Sequence, residues 1–311
     1  MFEGYYTALI TPFKDNKIDE DAFQKMIERQ IKAGVTGVVP CGTTGEAPTL
    51  SISEHYRIFD LTMEVAKGKC QVIAGTGSNH TAHSIETTKY AKEVGADAVL
   101  SVAPYYNKPT QRGIYAHFEA IHDAVDIPII LYNVPSRTNV NMSFDTVCAL
   151  AELPRIKAIK DCSGDITMPL KYRQALGNDF KVLTGDDPVA GAYFAHGGDG
   201  CVSVASNLVP ELCVQFYKAW KEADIATFTK IRDQLAPLSD ILFCETSPGP
   251  VKYAASLMGL CRDDVRLPLV TTTEESKEAI QDVMKKLHLL THETSAIASF
   301  ADSSGYPMQF S

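Results

Sequence analysis

Eight short apolar runs, each followed by an amphipathic stretch, constrain this chain more than any other feature. The runs lie at residues 5–10, 37–40, 71–74, 98–102, 127–132, 156–159, 181–183 and 200–204. Between them sit helical patterns such as 20–33, 53–66, 81–94 and 110–124. Their starts carry capping signals, Ser53 before Glu54 and Thr81 before Ala82, His83 and Ser84, and their ends carry Gly34 and Gly95. Strands that alternate with helices pair in parallel through right-handed crossovers. Eight such units before residue 205 predict a closed α/β barrel, the (β/α)8 TIM barrel, rather than an open doubly wound sheet. No G-x-G-x-x-G follows the first run, which also argues against the open sheet.

Beyond residue 204 the pattern is wholly helical, at 210–223, 225–243, 250–260 and 273–289. One helix completes the eighth unit and the rest form a C-terminal helical appendage. The expected division is therefore a barrel over 1–223, a helical region over 224–290, and a small, polar, disordered tail over 291–311. A net charge of −9 argues against nucleic-acid or anionic-membrane partners, although a local cationic pocket can still take an anionic substrate. No apolar run has the length of a membrane helix, and residues 2–10 do not read as a secretory segment, so a cytoplasmic protein is expected. The eight cysteines are scattered with no C-x-x-C pair, which reads as reduced, mostly buried thiols. His80 and His83 stand three apart without a supporting carboxylate set, so no metal site is expected.

In such barrels the chemistry sits at the C-terminal ends of the strands. Four strand ends there carry reactive types. After the second run, Gly42-Thr43-Thr44-Gly45-Glu46 offers two hydroxyls between glycines that let backbone approach a ligand. Taken alone it is equally an ordinary tight turn. At the sixth run, alternation puts Ile156, Ala158 and Lys160 on one face. If Ala158 faces the interior, Lys160 points into the barrel mouth behind apolar neighbours, where desolvation would lower its pKa and leave a neutral, nucleophilic fraction. An isolated strand-end lysine reaching solvent is the bland alternative. After the fifth run, Tyr132 is placed to pass protons and Arg137 to grip a carboxylate. Tyr105 and Tyr106 end the fourth run, where they serve a site or a subunit contact.

Taken together, GTTGEAPTL (42–50), YNVPSRT (132–138), IKAIKDCSGD (156–165) and GDD (185–187) resemble the pyruvate-dependent aldolase superfamily of dihydrodipicolinate synthase and N-acetylneuraminate lyase, over about residues 2–290. The resemblance implies that Lys160 forms an imine with pyruvate. Thr43-Thr44, Tyr105-Tyr106 and Arg137 are most similar to the dihydrodipicolinate synthase branch, which joins pyruvate to aspartate semialdehyde in lysine biosynthesis. On that basis Thr43, Tyr106 and Tyr132 form a proton relay, with Tyr106 acting across a dimer interface. Thr44 and the backbone near Gly185 and Val202 frame the imine pocket, and Arg137 holds the semialdehyde carboxylate. No cofactor is implied, and the assembly implied is a homotetramer of tight dimers. His55, Asn79, His83 and Tyr105 fall at the branch's allosteric positions. Lysine-regulated members carry an acid where His83 stands and a histidine where Ile52 stands, so weak or absent lysine inhibition is expected here. Asn139 stands where glycine is common, which Asn tolerates if φ is positive. The nearest rival is a related lyase acting on a sugar acid or keto acid, with Asp186 and Asp187 binding hydroxyls. A rival of another class is a non-catalytic small-molecule sensor on the same barrel.

Overall fold

Runs such as Val38-Val39, Val72-Ile73, Val99-Leu100 and Ile129-Ile130-Leu131 are apolar at successive positions, as strands buried on both faces must be. The computed structural model describes residues 1–290, and the expectation for 291–311 lies outside the described residues. Its barrel strands are β1 (Gly4–Ala8), β2 (Gly37–Val39), β3 (Gln71–Gly75), β4 (Ala98–Val102), β5 (Ile129–Asn133), β6 (Ile156–Asp161), β7 (Lys181–Thr184) and β8 (Gly200–Ser203). Each strand pairs in parallel with the next, and β8 pairs with β1 to close the ring. The predicted (β/α)8 barrel is therefore the fold. A two-stranded hairpin, Phe13–Lys14 with Lys17–Ile18, was not foreseen.

The outer helices are α1 (Glu20–Ala33), α2 (Ile52–Ala66), α3 (Thr81–Val94), α4 (Gln111–Ala124), α5 (Pro135–Thr138), α6 (Phe144–Ala151), α7 (Met168–Leu176), α8 (Ala190–Ala195) and α9 (Pro210–Lys221). Three more follow, α10 (Ile225–Ile241), α11 (Gly249–Leu257) and α12 (Glu274–Lys286). Two capping expectations are corrected. Ser51, not Ser53, caps α2, in a reciprocal capping box with Glu54. The Thr81 hydroxyl does not cap α3; it bonds His117 Nδ1 at 2.9 Å, while Ser84 Oγ accepts the Ser78 N–H. Gly34 and Gly95 both end helices in the left-handed conformation, as expected.

Alternation divides the core into shells. Tyr6, Val39, Ile73, Leu100, Ile130, Ala158, Leu183 and Val202 point into the barrel. Val38, Val72, Val99, Ile129, Ile159 and Val182 point outward against the helices. A third cluster joins β1 and β8 to α9–α12, so the C-terminal helices pack directly on the barrel wall. One register irregularity matters. Ile129 pairs with Ile156 but Ile130 pairs with Ala158, so β6 carries an extra residue at its start. Ile156 consequently joins the outer cluster and does not share the face of Ala158 and Lys160. The thiol expectation also shifts: all eight cysteines are free, but only Cys41, Cys201 and Cys213 are buried, and Cys244 is exposed.

Candidate active site

With Ala158 inside the barrel, the next inward position on β6 is Lys160 at the C-terminal rim. Register sets Lys160 opposite Tyr132 on β5 and Leu183 on β7. Lys160 is buried at 7% exposure, and its Nζ lies over the Tyr132 ring, 4.4 Å from the centroid. A Cβ added at Gly185 would collide with Lys160 Cε and Cys162 Sγ and lie 3.1 Å from Lys160 Nζ. Only glycine leaves the amine its space. Gly185 thus frames Lys160 from β7, and buried Val202 closes the floor from β8.

Burial opposes the Lys160 ammonium, yet the neighbouring groups that titrate to anions, Tyr132 first, then Cys162, Cys201 and Asp186, outweigh it and hold its pKa above the ordinary lysine value. The expectation of a lowered pKa is therefore corrected. Desolvation acts as anticipated, but the groups converging on the amine from β5, β7 and β8 were not legible in one strand. Tyr132 is raised by burial, against opposing effects of Lys160, Thr43 and Arg137. Burial pushes the Cys162 thiol up to about 12. Tyr132 and Cys162 exert that pull only when ionised, and burial keeps both protonated at neutral pH, where Asp186 and the Tyr132 ring face remain to favour the ammonium.

Above this group opens a cavity of about 390 Å³ whose wall includes Thr43, Tyr132 and Arg137. Arg137 stands exposed on α5 and faces this opening. Lys160 does not line the cavity itself; its ammonium packs on the Tyr132 ring, which does. Thr44 is buried and does not line the cavity. A short 3-10 turn, Ala47–Thr49, separates this loop from α2. Asn139 takes φ 55°, a positive φ that asparagine tolerates in place of glycine.

Tyr106 is not brought to the others. It is 88% exposed with φ 71°, and its ring lies outside the cavity. Tyr105, His55 and His83 do line the same cavity, so most of the candidate allosteric set is continuous with the Tyr132 side within one chain. Asn79 donates to the Tyr105 carbonyl at 3.1 Å, and His55 Nε2 lies 2.8 Å from the Gly75 carbonyl. Burial lowers the His55 pKa, a shift that this carbonyl opposes. Among the described residues no cluster of His, Cys, Asp or Glu has the makings of a metal site.

Sequence reasoning missed several supporting groups. Asn133 donates to Asp161 at 3.1 Å and to Asn141 at 2.9 Å, and Ser163 donates to Asp161 at 2.7 Å, tying the ends of β5 and β6 together. Asp187, expected in the rival reading to bind hydroxyls, is buried and accepts the Val204 and Ala205 N–H groups at 2.8 and 3.1 Å. Glu46 and Lys252 form a wholly buried ion pair. A lone lysine in the apolar segment GPVKYAASL was the available signal, because lysine is almost never fully buried unless paired.

Comparison with known proteins gives concordant findings. The family model described as "Dihydrodipicolinate synthetase family" matches residues 1–287. A 4-hydroxy-tetrahydrodipicolinate synthase of Rhodospirillum centenum is 52% identical over 291 residues, 94% of this chain and all of that protein. The crystal structure of dihydrodipicolinate synthase from Aquifex aeolicus superposes with a TM-score of 0.91 at 42% identity, covering 94% of this chain and 100% of that one. The chloride-inhibited dihydrodipicolinate synthase of Acinetobacter baumannii, solved in complex with pyruvate, gives a TM-score of 0.91 at 41% identity, covering 93% and 100%.

Proposed function

Because this chain belongs to the dihydrodipicolinate synthetase family, we propose that it condenses pyruvate with L-aspartate 4-semialdehyde through an imine on Lys160, giving 4-hydroxy-tetrahydrodipicolinate for lysine and diaminopimelate synthesis. The observation that carries the residue assignment is the placement of Lys160: buried at a barrel-strand C-terminus, against Tyr132, in space that Gly185 leaves open. The amine, once deprotonated, attacks the pyruvate ketone, and loss of water leaves a cationic imine. That cation acidifies the methyl group, whose proton leaves to give an enamine. Tyr132 and Thr43 are the hydroxyls placed to carry it. The enamine carbon bonds to the aldehyde carbon, whose oxygen takes a proton. The substrate's own amine then displaces Lys160 as the ring closes. Arg137, exposed at the cavity wall, is suited to the semialdehyde carboxylate.

The outward Tyr106 supports a relay completed by a second subunit, which requires at least a dimer; the homotetramer rests on the family resemblance. No helix among the described residues is long and apolar enough to cross a membrane, which agrees with a cytoplasmic setting. The lyase alternative is disfavoured because Asp187 is already spent on backbone N–H groups. The test is borohydride reduction in the presence of pyruvate followed by peptide mass analysis. A reduced pyruvate adduct is expected on Lys160 and absent from Lys160→Ala. A folded sample that gives no adduct overturns the assignment and moves the sensor reading forward; an adduct without semialdehyde turnover moves the lyase forward.

A further inference from the structure

Glu46 and Lys252 are 206 residues apart, yet Lys252 Nζ donates to Glu46 Oε1 at 2.5 Å with both side chains at 0% exposure. A buried pair of charges is often no more stabilising than an apolar pair of the same volume, so its presence asks for a geometric reason. Glu46 ends the loop that carries Thr43 and Thr44, and Lys252 lies on α11. The loop is bracketed by two non-glycine residues in the left-handed region, Cys41 (φ 54°) and Glu46 (φ 55°). Such conformations persist only where the surroundings over-determine them. Around Glu46 they do. The Arg266 backbone N–H donates to its Oε2 at 3.1 Å, and Lys252 Nζ and the Arg266 guanidinium each lie 4.2 Å from the Phe13 ring centroid. On the other flank the buried Thr11 hydroxyl donates to the Gly45 carbonyl at 2.7 Å. Neither Glu46 nor Lys252 lines the cavity, so whatever they do for the reaction passes through the loop.

We propose that the buried Glu46–Lys252 pair is a positioning device by which the C-terminal helices fix the Thr43–Thr44 hydroxyls for proton transfer. This rests on the reading of Thr43 as part of the relay. Lys160 is held separately, on β6 beside β5 and β7, so the pair governs proton movement and not imine formation. The discriminating experiment uses the full chain carrying Glu46→Gln and Lys252→Met together, which removes both charges and leaves an acceptor for the Arg266 N–H. Two quantities are read with pyruvate alone: borohydride-trapped adduct on Lys160, and exchange of pyruvate methyl protons for deuterium in D2O, which reports enamine formation. Displacing a relay hydroxyl by an ångström is expected to slow exchange by about 10- to 100-fold while adduct yield stays within about twofold of the parent. Exchange at the parent rate overturns the proposal. So does a proportional fall of both quantities, which marks a purely structural pair. A parent protein that exchanges nothing and traps no adduct refutes the imine reading instead. If the double variant does not fold, Thr11→Val, which releases the same loop at Gly45 without unpairing a charge, is held to the same criterion.

Discussion

Replacing Gly185 by alanine adds one methyl group at the point where the barrel has least room. The new carbon would overlap Lys160 Cε and Cys162 Sγ and stand 3.1 Å from Lys160 Nζ. The backbone there is not in the left-handed region, so the whole cost is side-chain overlap. Relief requires Cys162 or Lys160 to leave its rotamer, and overpacking of this kind costs about 1–3 kcal/mol. For a domain of this size that is a fall in Tm of several degrees, at roughly 2–4 °C per kcal/mol. The functional cost is larger. Moving a nucleophile by about 1 Å from its attack geometry loses on the order of 100-fold in rate. Gly185→Ala is therefore expected to fold with a modestly lower Tm by circular dichroism and to form the borohydride-trapped pyruvate adduct about 100-fold more slowly. An alanine variant with parental Tm and parental trapping rate would refute the packing argument, because it would mean Lys160 does not occupy the space Gly185 vacates. Global unfolding would refute it as well, since the overlap is confined to two flexible side chains.

Two further outcomes follow from the site's electrostatics. Only the neutral Lys160 amine attacks pyruvate, and its pKa is held above the ordinary lysine value, so the reactive fraction rises about tenfold per pH unit throughout the neutral range. The single-turnover trapping rate should climb with a log slope near 1 from about pH 6 to pH 9 without levelling; a plateau by about pH 8 would mean a lowered pKa. Free L-lysine should inhibit feebly, because His83 stands at the cavity wall in place of a carboxylate and His55 Nε2 is already engaged with the Gly75 carbonyl. Losing a charge-assisted hydrogen bond worth roughly 1.5–3 kcal/mol weakens binding about 10- to 150-fold, and submillimolar inhibition in a coupled assay would sink that expectation.

How far the sequence could be read depended on whether a property was local or convergent. Period-two alternation needs only one strand, and it placed Lys160 on the inner face with Ala158. The same rule failed at Ile156, because an extra residue at the start of β6 is set by pairing with β5 and leaves no mark in β6 alone. Ser51 and Glu54 carry the capping-box spacing, but Ser53 is the hydroxyl adjacent to Glu54, so adjacency alone points to the wrong cap. The buried Glu46–Lys252 pair spans most of the chain, so neither partner announces the other. A role proposed to depend on a second subunit is the extreme case: a single chain leaves Tyr106 in solvent.

The corrected electrostatics of Lys160 bear on why the site is built this way. A lowered pKa would speed the first attack by raising the neutral fraction. A raised one costs the enzyme that fraction, about 1.36 kcal/mol for each unit the pKa stands above the working pH. The same surroundings, however, face a positive charge on Nζ again once the imine forms, and the imine must stay cationic for the methyl proton to become acidic. The Tyr132 ring face against Nζ and Asp186 nearby, which favour the ammonium, would favour the proposed iminium at the same position. Stabilising the cation along the path after the attack contributes more where enamine formation is the harder step. On the proposed reading the proton lost by Lys160 passes through Tyr132, which contacts the ammonium and lines the cavity; as a protonated phenol it can take that proton only by handing its own on to Thr43. On that proposal the ring that covers the amine both holds its charge and ferries its proton.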